Sequence, residues 1–170
     1  MDLTQEQKQA VLKERVFPND IECFGRFFFP HHLSKPTPEF HKEIFKTLAG
    51  EGKRIVRAAP RSHAKSTIID LVYLCWAIVH DKTKFTLLIS DTYKQSALFL
   101  DTLKSEFEGN ERLKAFYGSQ VTDKWSEGEI VAGHTLVKAV GAGMKVRGLK
   151  FRESRPDLII ADDLENDELV

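Results

Sequence analysis

The sequence is poor in the features that mark secreted, membrane-spanning and disulfide-bonded proteins. Its 170 residues include two cysteines, Cys23 and Cys75, which lie far apart and belong to no metal-binding spacing. The amino terminus, MDLTQE, has neither the basic start nor the apolar core of a signal peptide. The apolar run at residues 71–79 is too short to cross a bilayer. We therefore expect a cytoplasmic protein without a membrane partner.

The segment APRSHAKST, at residues 59–67, has the outline of a phosphate-binding loop but lacks its glycines. The usual pattern is Gly, four arbitrary residues, Gly, Lys and then Ser or Thr, and alanine stands at both glycine positions here. Glycine tolerates the positive φ angles that let backbone N–H groups surround a phosphate, so the match is degenerate. The predicted nucleotide contacts in this loop are Ala59, Pro60, Arg61, Ser62, His63, Ala64, Lys65, Ser66 and Thr67.

The sequence on either side of the loop supports this interpretation. Residues 54–58 are short and partly apolar, as a strand is, and residues 66–79 are apolar enough for a buried helix. A strand, a loop and a helix in this order aim the helix N-terminus at an anion. Lys65 would then reach the β and γ phosphates of ATP, and the Ser66 hydroxyl would coordinate Mg²⁺. The competing interpretation is an ordinary strand-to-helix turn that contains Lys-Ser.

A second segment, DLIIADDLE at residues 157–165, places acids directly after a short apolar run. The run LIIA is typical of a central strand that is buried on both faces. Carboxylates at the end of such a strand are costly unless a cation or water meets them. Asp162 is the predicted Mg²⁺ ligand, and Asp163 or Glu165 would polarise the attacking water. The alternative is a strand followed by a solvated acidic loop.

Together the two segments resemble the ATPase domain of phage large terminase subunits, the motors that package viral DNA. The resemblance spans roughly residues 36–167 and also involves SDT at residues 90–92, KVRG at 145–148 and the arginine before PDLII at 155. It implies an α/β fold of the P-loop NTPase (RecA/ASCE-like) type. Strands that alternate with helices independently predict a mainly parallel sheet flanked by helices, with ligands at the carboxyl ends of the strands. The implied cofactors are ATP and Mg²⁺.

The resemblance assigns further roles and leaves two of them open. Arg61 matches the arginine that the family carries in its loop, and it would stabilise γ-phosphate charge as a catalytic group. The family usually places Glu after the Mg²⁺-binding Asp, whereas this chain has Asp163 there and Glu165 nearby, so either acid could activate water. Many members read the adenine edge with Gln. His41 stands in the corresponding region here and can donate to or accept from adenine, although a lone helical His is often structural.

The rest of the chain predicts a helical extension at residues 1–35 and the ATPase domain at residues 36–170. The extension contains two helices, the second carrying a phenylalanine cluster that forms core or, alternatively, a lid over the nucleotide. Further elements are a strand at residues 85–90, a helix that starts at 91 or 92 and ends at 109–110, and a hairpin of 129–132 with 135–140. We expect the domain to stop after the acid-bearing strand, with no nuclease domain and hence no nuclease activity.

Charge gives weaker information about partners. The 25 Lys and Arg residues balance 25 Asp and Glu residues, so no global basic field favours DNA. A local basic cluster at residues 145–155 would face DNA, supply an arginine to a neighbouring subunit's nucleotide, or be ordinary solvated surface. By resemblance, the partners are double-stranded DNA, a portal protein and a small terminase subunit, with a homo-oligomeric ring in the full-length protein. The other hypotheses are a helicase-like P-loop ATPase and a truncated module that binds nucleotide without turnover.

Overall fold

The computed structural model describes residues 4–50, 54–56 and 65–164, which adopt an α/β fold. The chain divides into two compact units, Met1–Trp76 and Ala77–Val170. The described part of the first unit is helical, and the second contains a four-stranded mixed sheet with helices beside it. Among the described residues, no helix combines the length and the apolar character that a bilayer crossing requires.

Three helices begin the first unit, and their starts follow from local capping. Helix α1 spans Gln5–Val11 and continues as a π-helical turn over Leu12–Val16, α2 spans Ile21–Phe28, and α3 spans Glu39–Leu48. Thr4 closes a capping box on α1, and Asp20 accepts a 2.8 Å hydrogen bond from the backbone N–H of Cys23 at the start of α2. The two helices predicted for residues 1–35 are therefore confirmed.

A longer helical stretch follows the phosphate-loop segment, as predicted. Residues 65 and 66 are helical, Thr67–Tyr73 is π-helical, and α4 spans Leu74–Val79 at the junction of the two units. The strand predicted before the loop is not formed at residues 54–56, which have no regular secondary structure. Residues 57–58, the rest of that predicted strand, lie outside the described part of the chain.

Aromatic side chains form much of the core of the first unit. Phe24 and Phe28 lie on one face of α2, with ring centroids 4.8 Å apart, and both are fully buried. Phe17 packs on each of them, and its carbonyl accepts a 2.8 Å hydrogen bond from Trp76 Nε1. The prediction that this cluster is core is therefore confirmed.

The second unit is built on a mixed sheet with strand order β2-β3-β1-β4. Strand β1 (Phe85–Ser90) pairs in parallel with both β3 (Thr135–Gly141) and β4 (Leu158–Ala161). Strand β2 (Glu129–Ala132) pairs antiparallel with β3, which makes the sheet mixed where a mainly parallel one was predicted. The reason is the connection between them. Two residues, Gly133 with φ of 56° and His134, can close a hairpin but not a parallel crossover.

Two helices complete the second unit. Helix α5 (Tyr93–Gly109) packs on β1 and β3, and α6 (Glu111–Tyr117) follows it directly. Thr92 caps α5 by accepting a 3.2 Å hydrogen bond from the backbone N–H of Gln95. Asn110 both ends α5 and caps α6, where its side chain accepts from the N–H of Leu113 at 3.0 Å. The predicted end of α5 is confirmed, but sequence reasoning missed α6.

Strand β4 departs from the sequence expectation. It was predicted to be a central strand buried on both faces, but it is an edge strand of the described sheet. Ile160 is buried on one face, whereas Ile159 is 59% exposed on the other. A short apolar run does not distinguish a central strand from an edge strand, because the pattern carries no information about the neighbours.

Candidate functional site

Three aspartates lie close together where the parallel strands β1 and β4 end. This side of the sheet, formed by the carboxyl ends of the strands, is called the carboxyl edge below. Asp91 follows β1, and Asp162 and Asp163 follow β4. The backbone N–H of Asp162 donates to the carbonyl of Ile89 at 3.0 Å, and that of Asp91 donates to the carbonyl of Asp163 at 3.0 Å. Since β1 and β4 are parallel neighbours, these acids lie where open α/β sheets bind their ligands.

Asp162 and Asp163 differ in backbone conformation and in exposure. The hydrogen bond to Ile89 extends the parallel ladder by one residue, so Asp162 follows the alternation of β4 and lies on the face that carries Ile160. It is partly buried. Asp163 is exposed and has a φ of 52°, in the left-handed region, so the chain turns away from the strand at this residue. Each residue makes one backbone hydrogen bond to the end of β1, so what distinguishes Asp162 is its partial burial.

The end of β3 lies beside the end of β1, on the side opposite β4. The backbone N–H of Ala142 donates to the carbonyl of Ser90 at 2.8 Å. At Gly141, an added Cβ would lie 2.6 Å from the backbone nitrogen of Tyr93, so only glycine allows the first turn of α5 to come this close. The partial positive charge of that helix N-terminus therefore lies against the same edge as the aspartates.

Ser90, which the sequence analysis used as a strand end and as part of the SDT segment, also lies at the carboxyl end of β1. It is fully buried, and its Oγ has no hydrogen-bond partner among the described residues. No signal in the sequence marks this residue, because a serine at a strand end is common and its burial depends on the helix above it.

The structure describes only the end of the predicted phosphate loop. Lys65, Ser66 and Thr67 are partly buried and are the first described residues of the helical stretch in the first unit. The other predicted residues (Ala59, Pro60, Arg61, Ser62, His63, Ala64 and the acid Glu165) lie outside the described residues. Lys65 and Ser66 therefore belong to the first unit, and Asp162 and Asp163 to the second.

His41, the predicted adenine contact, lines a cavity in the first unit. The cavity has a volume of about 320 Å³, and its wall includes Pro36, Thr37, Phe40 and Phe45. His41 is 8% exposed, and its ring lies 4.2 Å from that of Phe40 between centroids. Small-molecule sites in proteins commonly have about this volume and are lined by apolar and aromatic side chains with a few polar groups.

Arg26 holds one wall of that cavity, a role that the sequence did not reveal. From α2 its Nε donates to Thr37 Oγ1 at 2.8 Å, and its Nη2 donates to the carbonyl of Lys35 at 3.0 Å. Glu22, one turn earlier, lies 3.7 Å from the guanidinium. Arg26 thus fixes the connector that precedes α3 and carries part of the cavity wall.

The donor set at the sheet edge fits a magnesium ion. Mg²⁺ prefers oxygen ligands, keeps several of its waters, and is held in proteins by one or two carboxylates together with phosphate oxygens. Asp162 would supply such a carboxylate, and Asp91 directly follows the adjacent strand.

No protein-family model matches this chain, and no curated protein matches it in sequence.

Proposed function

We propose that this chain is the ATPase domain of a DNA-packaging terminase large subunit, with a P-loop NTPase fold of the RecA/ASCE-like type. It binds Mg-ATP and hydrolyses it to drive double-stranded DNA into a capsid. The observation that carries the proposal is the position of Asp162 and Asp163. They follow β4 at the carboxyl edge of adjacent parallel strands, beside the end of β1.

Each predicted residue has a chemical role in this proposal. Lys65 would contact the β and γ phosphates, and the Ser66 hydroxyl and Asp162 would hold Mg²⁺. When bound there, the ion would supply positive charge beside the phosphates. Arg61 stabilises γ-phosphate charge, and Asp163 or Glu165 accepts a proton from the attacking water.

The cavity beside His41 is the proposed adenine site. The imidazole donates to or accepts from the base edge, and the ring of Phe40 and the prolines supply apolar surface for its faces. The remaining partners follow the terminase resemblance: double-stranded DNA, a portal protein, a small terminase subunit and further copies in a ring. The proposed place of action is the cytoplasm of the host cell.

Titration of ATP, with and without Mg²⁺, tests the proposal on the unaltered chain and two variants. Lys65→Ala should weaken ATP binding at least about tenfold, because it removes a cation from the phosphates. Asp162→Asn should retain binding of free ATP and lose the increase in affinity that Mg²⁺ gives. Lys46→Ala, an exposed lysine of α3, is the control for loss of one positive charge.

The outcomes test the nucleotide site and separate an ATPase from a module that binds nucleotide without turnover. Unchanged ATP affinity in Lys65→Ala would contradict the phosphate-loop assignment. No ATP binding by the unaltered chain would contradict the whole proposal. ATP binding without any hydrolysis would support the alternative, a nucleotide-binding module without turnover.

A further inference from the structure

Positive charge is concentrated in one segment of a chain whose net charge is zero. Residues 144–155, which join β3 to β4 and are called the basic segment below, contain one acid, Glu153, and five cations: Lys145, Arg147, Lys150, Arg152 and Arg155. All five cations are exposed. The next acid, Asp157, accepts hydrogen bonds from Thr83 and from backbone N–H groups and forms no ion pair with these cations in the described part of the chain.

The cations of the basic segment have no ion pairs within the described part of the chain. Elsewhere in the second unit, four lysines form ion pairs: Lys104, Lys114, Lys124 and Lys138. Lys114 lies 2.6 Å from Glu111, and Lys138 lies 2.7 Å from Glu129. Within the segment, the Arg152 guanidinium lies over the Phe151 ring, 5.1 Å from its centroid, which leaves its charge in place. The charge of the segment is thus available to a partner.

The basic segment is fixed to the sheet. Leu149 and Phe151 pack against the core cluster that contains Phe85 and Leu87, and the cations between and beside them face outward. Two backbone hydrogen bonds between Phe151 and Ser154, both 2.9 Å long, close a tight turn. Arg152 lies in this turn and is exposed. Lys150 and Arg152 therefore lie on a folded surface, where a partner meets them without the entropy cost of ordering a free loop.

We propose that the basic segment binds the phosphate backbone of double-stranded DNA without reading its base sequence. This inference rests on the proposed function and names the DNA-contacting surface. Three of the five cations are arginines, whose planar guanidinium matches the geometry of phosphate oxygens. The segment contains no Asn or Gln, the side chains that pair with adenine edges. Phosphate contacts give affinity that falls with salt, whereas base contacts give sequence preference.

The test is fluorescence anisotropy of two labelled 20-base-pair duplexes of unrelated sequence, over about 50–200 mM salt. The test variant combines Lys145→Gln, Arg147→Gln and Lys150→Gln. The control combines Lys8→Gln, Arg15→Gln and Lys46→Gln, which remove the same charge from exposed helical positions. We expect equal affinity for the two duplexes. The slope of log K against log salt should become less steep by about 0.9 for each phosphate that the test variant no longer neutralises.

The result expected for affinity is a loss of about tenfold or more at 100 mM salt in the test variant and about twofold or less in the control. An equal loss in both variants would overturn the inference, because binding would then follow net charge alone. So would a clear preference for one duplex, no DNA binding, or binding to vesicles with 30% phosphatidylserine but not to DNA. ATP titration of the same proteins is a separate measurement, so failure of nucleotide binding alone would remove the proposed function and leave the DNA surface supported.

Discussion

The Thr83 hydroxyl donates a 2.7 Å hydrogen bond to Oδ1 of Asp157, across 74 residues of chain. The same carboxylate accepts from the backbone N–H of Lys84 at 2.9 Å and from that of Phe85 at 3.1 Å. Phe85 begins β1, and Asp157 directly precedes β4, so one side chain joins the amino ends of the two strands. Their carboxyl ends carry the aspartates of the proposed site. Asp157 is therefore a structural clamp: it fixes the register of β4 against β1. That register places Asp162 beside the carboxyl end of β1.

Replacing Asp157 should destabilise the protein. Asp157→Ala removes the acceptor of a buried hydroxyl and of two backbone N–H groups, and we expect the free energy of unfolding to fall by about 1–3 kcal/mol. Asp157→Asn keeps one acceptor oxygen and should lose less. Urea unfolding measures both, with Asp123→Ala, an exposed acid, as the control. Stability equal to that of the unaltered chain in Asp157→Ala would show that the clamp contributes nothing.

The close approach at Gly141 makes a second prediction about the site edge. In Gly141→Ala, the new Cβ would lie 2.6 Å from the nitrogen of Tyr93 and 3.2 Å from the carbonyl carbon of Thr92, which are backbone atoms that cannot rotate away. Overpacking of this kind costs about 1–3 kcal/mol. Gly109→Ala is the matched control, since nothing lies within 4 Å of its Cβ and alanine favours the helix. In thermal unfolding, the Tm should fall in Gly141→Ala and rise in Gly109→Ala. An unchanged Tm in Gly141→Ala would contradict the close packing at this glycine.

Glu129 should make part of the stability depend on pH. Hydrogen bonds from Lys124 and Lys138, each 2.7 Å long, hold the pKa of Glu129 below its usual range. Because the folded pKa is lower than the unfolded one, this stabilisation is complete above the unfolded pKa and is lost as the pH falls through the folded pKa. Glu129→Gln should therefore cost about 1 kcal/mol or less at pH 7 and nothing at about pH 2. Urea unfolding at several pH values measures this, and parallel stability curves for the two proteins would contradict it.

The hydrogen bond between Arg26 and Thr37 should affect binding of ligands that carry a base and not of ligands that lack one. Thr37→Val removes the acceptor of Arg26 Nε at nearly constant volume, and Thr37→Ser keeps it. With the connector no longer fixed, ATP affinity should fall about three- to tenfold in Thr37→Val and recover in Thr37→Ser. Inorganic tripolyphosphate has no base, so its affinity in competition assays should be the same in all three proteins. An equal loss for both ligands would mean that Thr37 supports the fold rather than the base site.

Local sequence signals predicted the positions of most helices and strands. They did not predict which strands are neighbours or which distant residues are in contact. The hairpin around Gly133 and the start of α5 depend on residues within a few positions. The hairpin lies where it was predicted, and of the two predicted helix starts, 91 and 92, the structure has Thr92 as the cap. Helix α6 was missed because Asn110 serves as an end and a start at once. The edge position of β4 depends on pairing with a strand more than sixty residues away, and the roles of Arg26 and Asp157 depend on partners distant in the chain. Periodicity does not encode such pairings.

The backbone at Asp163 makes it possible to decide which acid activates water. Its φ of 52° lies in the left-handed region, which Asn tolerates nearly as well as Asp, so Asp163→Asn changes the charge without adding strain. If Asp163 is the base, this variant should lose ATP hydrolysis by about 10²-fold or more and keep its ATP affinity, while Glu165→Gln stays active. If Glu165 is the base, the two results exchange. A steady-state assay paired with ATP titration distinguishes these outcomes, and full activity in both single variants would remove both acids from the mechanism.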